Sequence, residues 1–291
     1  MRIGALEAGG TKMVCAVGDE SGEIFERISI PTESPEITMP KIKDYFKKKN
    51  IEALGIGCFG PINLNKKSET YGYITSTPKL AWRNYNIVGA LKEALGVPVG
   101  FDTDVNGSML GEAIYGCAKD VDNAIYITVG TGVGLGVYIN KQLLHGAMHP
   151  EAGHILMARH ASDAYAGKCP YHKTCLEGLA AGPAIEERWG KKGVELQDRD
   201  EVWKLEAHYI AQAIVNYIYV YSPQKIILGG GVMHQEQLFP MIRKEVEKLN
   251  NGYISLDVLG NLDKYIVPAS LNDNQGIMGA IALGYQAANE K

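Results

Sequence analysis

The sequence predicts an α/β protein of two halves, each opening on adjoining strands and continuing with alternating helices and strands. Three observations carry that reading. First, ALEAGGTKMVCAV near the start and YITVGTGVGLGVY from residue 126 overlay as apolar strand, Gly/Thr turn, apolar strand. Second, each segment is followed by a third short strand and then by helix-period and strand-period runs in alternation, the mark of an internal repeat. Third, 291 residues are too many for one small core and suit two domains.

In the first half, residues 2–8, 12–18 and 23–30 read as strands joined by the GGT and DESGE turns. A helix follows over 37–49, its KKK run solvated, and ALGIGCF is a buried strand stopping at Gly60-Pro61. Residues 62–84 are irregular and polar, and TYGYITSTPKLAW reads as a surface flap. Ile87, Val88, Leu91 and Leu95 recur at helical spacing over 85–95, VPVGF is a strand, and 102–116 opens with helix-start chemistry. The second half repeats the order: strands at 123–129, 134–139 and 141–144, helices at 182–190 and 199–221, strand 225–230, helix 235–250, strand 265–269, helix 274–289. The stretch 149–177 is an insertion in this second copy. No linker separates the halves, so the cleft between them is the expected ligand site.

Composition narrows the function classes. With 46% hydrophobic and 21% charged residues the chain has the make-up of a soluble globular protein. A net charge of −4 offers no basic field for nucleic acid. MRIGALEAGG lacks a signal-peptide core, and no run of about 18 apolar residues suits a bilayer span. A cytoplasmic location without membrane contact is expected. Five scattered cysteines do not make a disulfide framework. Cys15, Cys58 and Cys117 are expected as buried small apolar residues.

Five motifs can carry chemistry. In Glu7-Ala-Gly-Gly-Thr-Lys12, Gly10 lets backbone N–H groups approach a phosphate, Thr11 adds a hydroxyl and Lys12 a charge; a plain hairpin uses the same glycines. Gly130, Thr131 and Gly132 form the equivalent turn of the second copy, and the paired occurrence is more specific than either turn alone. Gly229, Gly230 and Gly231 end a strand, where a base and ribose can slide over backbone, and Gly182-Pro183 at a helix start can face them. In FDTDVN one acid, Asp102 or Asp104, can N-cap the following helix. The other is then a candidate general base. Finally, Cys169, His172 and Cys175 are spaced to converge on one ion from a tight loop, and His154 can be the fourth ligand. Two Cys and two His suit tetrahedral Zn²⁺, and a filled coordination shell makes the ion structural, one per chain.

On these residues, together with HPEAGH, the Cys/His loop ending at Glu177 and LGGGVM, the chain resembles the ROK family of sugar kinases along its whole length. The resemblance implies the hexokinase/actin-like (ribonuclease H-like) fold, two domains each with a βββαβαβα core and a cleft between them. The expected domains are 1–116 plus 276–291 and 117–275. It implies Asp104 as general base, with Thr103, where many members carry Asn, and nearby Asn106 as substrate contacts. Glu151, His154 and Glu177 match the sugar contacts. Gly10, Thr11 and Lys12 match the first phosphate loop, and Gly130, Thr131 and Gly132 the second. Gly182 and Gly229 to Gly231 match the adenosine side. Two departures stand out: Glu7 replaces the usual Asp, and the metal loop is one residue shorter, with His172 as a ligand. The closest branch implies D-fructose as the phosphate acceptor, ATP with Mg²⁺ as donor, and a homodimer. Glucose, mannose or an N-acetylhexosamine are the alternatives within the class. A sugar-sensing regulator without catalysis and an actin- or chaperone-like ATPase are the alternatives outside it. The first sits poorly with an intact Asp104, both phosphate turns and no helix-turn-helix ahead of residue 1. The second has no use for HPEAGH and the Cys/His loop.

Overall fold

The computed structural model describes residues 1–255 and 260–290. The chain divides into two compact units, Met1–Asp120 with Leu143–Pro150 and Ser270–Lys291, and Val121–Gln142 with Glu151–Ala269.

The first unit runs β1 (Ile3–Ala8), β2 (Lys12–Gly18), β3 (Ile24–Pro31), α1 (Pro35–Lys47), β4 (Ala53–Cys58), the short pair β5 (Tyr73–Ile74) and β6 (Tyr85–Asn86), α2 (Ile87–Leu95), β7 (Val99–Thr103) and α3 (Asp104–Ile114). The second runs β8 (Ala124–Val129), β9 (Val133–Ile139), β10 (Gln142–Leu143), α4 (Leu176–Ala180), α5 (Gly182–Trp189), α6 (Asp200–Tyr221), β11 (Lys225–Gly229), α7 (Leu238–Asn250), α8 (Leu262–Tyr265) and β12 (Ile266–Pro268). The last helix, α9 (Gln275–Asn289), belongs to the first unit.

The repeat is visible in the sheets. Their strand orders are β3-β2-β1-β4-β7 and β10-β9-β8-β11-β12. In each, the opening strand is antiparallel to the second and parallel to the strand that follows the first helical crossover. Strand burial follows position. Central β4 is buried at every residue, as a strand covered on both faces must be, whereas edge strand β3 is largely exposed. The core of the first unit gathers Leu6, Met13, Ile42, Phe46, Leu54, Ile56 and Trp82.

Helix α9 packs on β1, β4 and α3 at backbone distance. A Cβ on Gly55 would lie 1.7 Å from the Ala280 carbonyl oxygen, and one on Gly279 would lie 1.7 Å from that of Gly107. Only glycine allows that approach.

Several expectations shift. The segment read as a flap is pinned: Ile74 and Thr77 are fully buried and Trp82 nearly so. Helix α2 starts at Ile87 because Tyr85 and Asn86 pair with β5 and the Asn86 side chain accepts from Gly89 N at 2.7 Å, capping the helix. The third strand of the second copy is only two residues long. Residues 143–150, expected in the second domain, group with the first because His145 bonds Asp102 and His149 accepts from Ile62 N. Cys15 and Cys58 are fully buried, but Cys117 is half-buried. Among the described residues no helix is long and apolar enough to cross a membrane.

Gly279→Ala is expected to lower stability by about 3 kcal/mol, since the new methyl meets backbone rather than a movable side chain. Thermal unfolding of the variant checks this; an unchanged midpoint would contradict the packing.

Candidate active site

In the first unit, the end of β7 and the start of α3 set out three side chains in different roles. The helix cap is Thr103, whose Oγ1 accepts from Asn106 N at 3.1 Å. Neither aspartate is therefore needed as the cap. Asp102 is buried, and its Oδ1 accepts from Thr103 N at 2.8 Å and Asn106 Nδ2 at 2.7 Å. Its Oδ2 lies 2.7 Å from His145 Nε2, and that bond raises the His145 pKa. Thr103 and Asn106, both matched to substrate contacts, are buried and engaged in this local network. The Asp102–His145 pair joins residues 43 apart in sequence, and no local pattern announced it.

Asp104 is the acid left over. It is the first residue of α3, partly exposed, and its Oδ1 accepts from Val105 N at 2.9 Å. Burial raises its carboxyl pKa above the ordinary value against the opposing pull of that backbone N–H. Glu7, on β1, faces the same recess. Burial first, and then the Asp104 charge, push it up to about 7, with Lys12 and Arg27 pulling the other way. The Glu7 carboxyl is also packed against Gly276 at the start of α9, where a Cβ would lie 2.7 Å from it. Two acids crowded in this way can take up a proton or a cation, and Asp104 can accept a proton from a hydroxyl beside it. The first glycine turn follows Glu7 directly: Gly9 N donates to Lys12 O at 3.0 Å, and Thr11 and Lys12 are exposed.

In the second unit, three glycine segments expected to serve a nucleotide come together. Gly130 N donates to Gly132 O at 2.9 Å, and Gly182 N donates to Gly130 O at 2.7 Å. Gly182 and Pro183 form the first turn of α5. Gly229 ends β11, Gly230 takes a φ of +89° that turns the chain, and Gly231 N sits 3.6 Å from where a Cβ on Gly130 would lie. Thr131 is exposed at the tip of the turn.

The loop 151–177 packs against that turn. Glu177, in the first turn of α4, accepts from Val133 N through Oε2 at 3.1 Å, and a Cβ on Gly132 would lie 2.7 Å from the same oxygen. The absent side chain at 132 thus makes room for Glu177. Exposed Glu151 precedes the single turn Ala152–His154. That turn is held by the Tyr217 hydroxyl, which donates to Ala152 O at 2.7 Å, a contact 65 residues apart that helical periodicity does not mark.

His154, Cys169, His172 and Cys175 place their ligand atoms within 4.8 Å of one another. Cys169 Sγ lies 3.7 Å from Nδ1 of both His154 and His172, and Cys175 Sγ lies 3.5 Å from His154 Nδ1. Zn–S bonds of about 2.3 Å and Zn–N bonds of about 2.0 Å set tetrahedral neighbours about 3.6 Å apart, so the four residues fit zinc. Both cysteines are buried and no fifth donor is needed, which fits a structural ion. His154 offers Nδ1 to this cluster, while its Nε2 points the other way, 3.9 Å from Glu177 Oε1.

The family model described as "ROK family" matches residues 3–287. A fructokinase of Pediococcus pentosaceus is 49% identical over 287 residues, covering 99% of each chain. One of Streptococcus mutans is 43% identical over 290 residues, covering 98% of each. Among solved structures, the ROK hexokinase from Thermus thermophilus superposes with a TM-score of 0.79 at 24% identity, covering 98% of each chain, which shows a shared fold.

The raised pKa of Glu7 predicts a pH-dependent penalty. Its folded value of about 7 exceeds the ordinary 4.5, so the stability it contributes is present below pH 4.5 and lost as pH rises through 7. Glu7→Gln should therefore match wild type near pH 4.5 and exceed it at pH 8 by on the order of 3 kcal/mol in metal-free buffer. Urea melts at the two pH values read the difference; an equal gap at both would rule the effect out.

Proposed function

The chain belongs to the ROK family, and on that premise we propose that it transfers the γ-phosphoryl group of ATP to a hexose, converting D-fructose to D-fructose 6-phosphate. The observation that carries the reading is the 49% identity with a fructokinase over 99% of both chains. The half-buried, otherwise uncommitted carboxyl of Asp104 supports it independently.

Asp104 accepts the proton of the primary hydroxyl as that oxygen attacks the γ-phosphorus. The new O–P bond forms, the bond to the bridging oxygen breaks, and ADP leaves with the electron pair. The residues around it position and neutralise charge and form no covalent intermediate. Backbone N–H groups of the turns at Gly10–Lys12 and Gly130–Gly132 hold phosphate oxygens, with the Thr11 and Thr131 hydroxyls beside them. Gly229 to Gly231 and Gly182-Pro183 carry the adenosine. Glu151, His154 and Glu177 bond sugar hydroxyls. Thr103 and Asn106 act one step back, fixing the helix start that presents Asp104.

Mg²⁺ accompanying ATP would neutralise charge at the phosphates, and Glu7, which directly precedes the first glycine turn, is the carboxyl offered to it. His154, Cys169, His172 and Cys175 would hold Zn²⁺, which would supply a cross-link between the segment carrying Glu151 and the one carrying Glu177. His154 would then use Nδ1 for the metal and keep Nε2 for the sugar.

ATP turnover against fructose, glucose, mannose and N-acetylhexosamines tests the reading, with fructose expected to have the highest kcat/KM. Asp104→Asn should lower kcat by about 10²–10⁴ with sugar affinity largely kept. Because a base must be ionised to act, wild-type kcat should fall as pH drops through the raised Asp104 pKa, and the residual Asp104→Asn rate should lack that limb. Stripping the metal with a chelator should lower both the thermal midpoint and fructose affinity; full activity in protein verified as metal-free would remove zinc from the account.

A further inference from the structure

The strap between β5 and β6 carries one cation that neither the fold nor the reaction described so far uses. Lys79 sits where the strap is held on both sides. Its own N–H meets the Oγ1 of fully buried Thr77 at 3.3 Å. The Arg83 guanidinium donates to Thr77 O at 3.3 Å, and Trp82 N donates to Lys79 O at 2.8 Å. The nearly fully buried Trp82 ring is anchored in turn, its indole N–H donating to Glu33 O at 2.7 Å. The backbone of Lys79 is thereby fixed, and its side chain runs over the first glycine turn. A Cβ on Gly10 would lie 2.9 Å from Lys79 Cε and 3.8 Å from Nζ.

Gly10 is absent from the positive-φ residues, so its backbone conformation does not require glycine. The end of the Lys79 side chain occupies the space that a Cβ at this position would take. Lys79 is half-buried, and its ammonium has no carboxylate or hydrogen-bond acceptor among the described residues. A lysine held without a counter-charge beside backbone that receives phosphate is suited to an anion arriving with the ligand.

We propose that Lys79 is a catalytic residue: its ammonium contacts the transferred phosphoryl group and neutralises charge that develops on its equatorial oxygens as the group passes from ADP to the hydroxyl. The proposal rests on the phosphotransfer reading above. It involves no proton transfer by Lys79, which stays an ammonium throughout. It divides the labour on this unit, with Asp104 drawing the proton from the nucleophile and Lys79 serving the electrophile. Gly10 is then room for a side chain as much as a cradle for phosphate.

Steady-state kinetics of wild type, Lys79→Met and Lys79→Arg with fructose and MgATP provide the test. Met keeps the length and packing of the stem and removes the charge. Lys79→Met should lose about 10²–10³ in kcat, the scale of one lost charge-stabilising donor, with both KM values within about threefold of wild type. Lys79→Arg should recover at least about a tenth of the wild-type kcat. Thermal melts verify folding, and Lys79→Gln replaces Lys79→Met should the latter not fold. An active wild type alongside a Lys79→Met kcat within threefold, or a loss confined to KM, overturns the role of Lys79 alone. A wild type that phosphorylates no hexose overturns the phosphotransfer reading, and this proposal with it.

Discussion

The first unit depends on the backbone contact between α9 and the layer formed by β4 and α3. Gly55 and Gly279 remove the side chains that would hold these elements apart. The consequence reaches the recess. With α9 seated this closely, its first turn places Gly276 against the Glu7 carboxyl, and α3 presents Asp104 from the adjoining side. A wider helix–sheet spacing would admit solvent between the two acids and relax both toward ordinary carboxyl behaviour. Close packing and acid chemistry are therefore one constraint, since burial is the first cause of both raised pKa values.

That arrangement is under electrostatic tension. Glu7 is disfavoured as an anion both by burial and by Asp104. The positive groups that relieve it, Lys12 and Arg27, act from neighbouring strand positions. A recess of this kind gains from an incoming cation, whereas a pair neutralised by an internal salt bridge would resist one. The same logic applies to Lys79, a cation near the glycine turn with no partner among the described residues. Opposite charges left uncommitted on one unit suit a ligand that brings both an anionic phosphate chain and a divalent metal ion.

The second unit solves a different problem, that of shaping a long insertion. A stretch of 29 residues, 149–177, with little regular structure has few ladder hydrogen bonds to define it. Here the Cys/His cluster, the Tyr217 hydroxyl on Ala152 and the Glu177 bond to Val133 N do so at three separate points. Glu177 belongs to two features at once. It lies 3.9 Å from the His154 imidazole and fills the space above Gly132, so the insertion and the second glycine turn share a residue.

By itself, the sequence determined the repeat, the longer strands and helices, and the four residues of the Cys/His cluster. Each of these is written locally: strands and helices in the apolar period, turns in glycine, the cluster in spacings of two residues within one loop. FDTDVN also showed that one acid was surplus to capping. The structure shows which side chain caps: Thr103 takes the cap, while Asp102 is held by Asn106 and His145. It also turned the strap at 75–82 from a flap into a pinned segment, through Trp82 and Glu33, and laid Lys79 over Gly10. Apart from the local bonds to Asn106, these contacts join residues tens of positions apart. Period and spacing carry no record of such pairings, which arise only when separate elements are packed to the same depth.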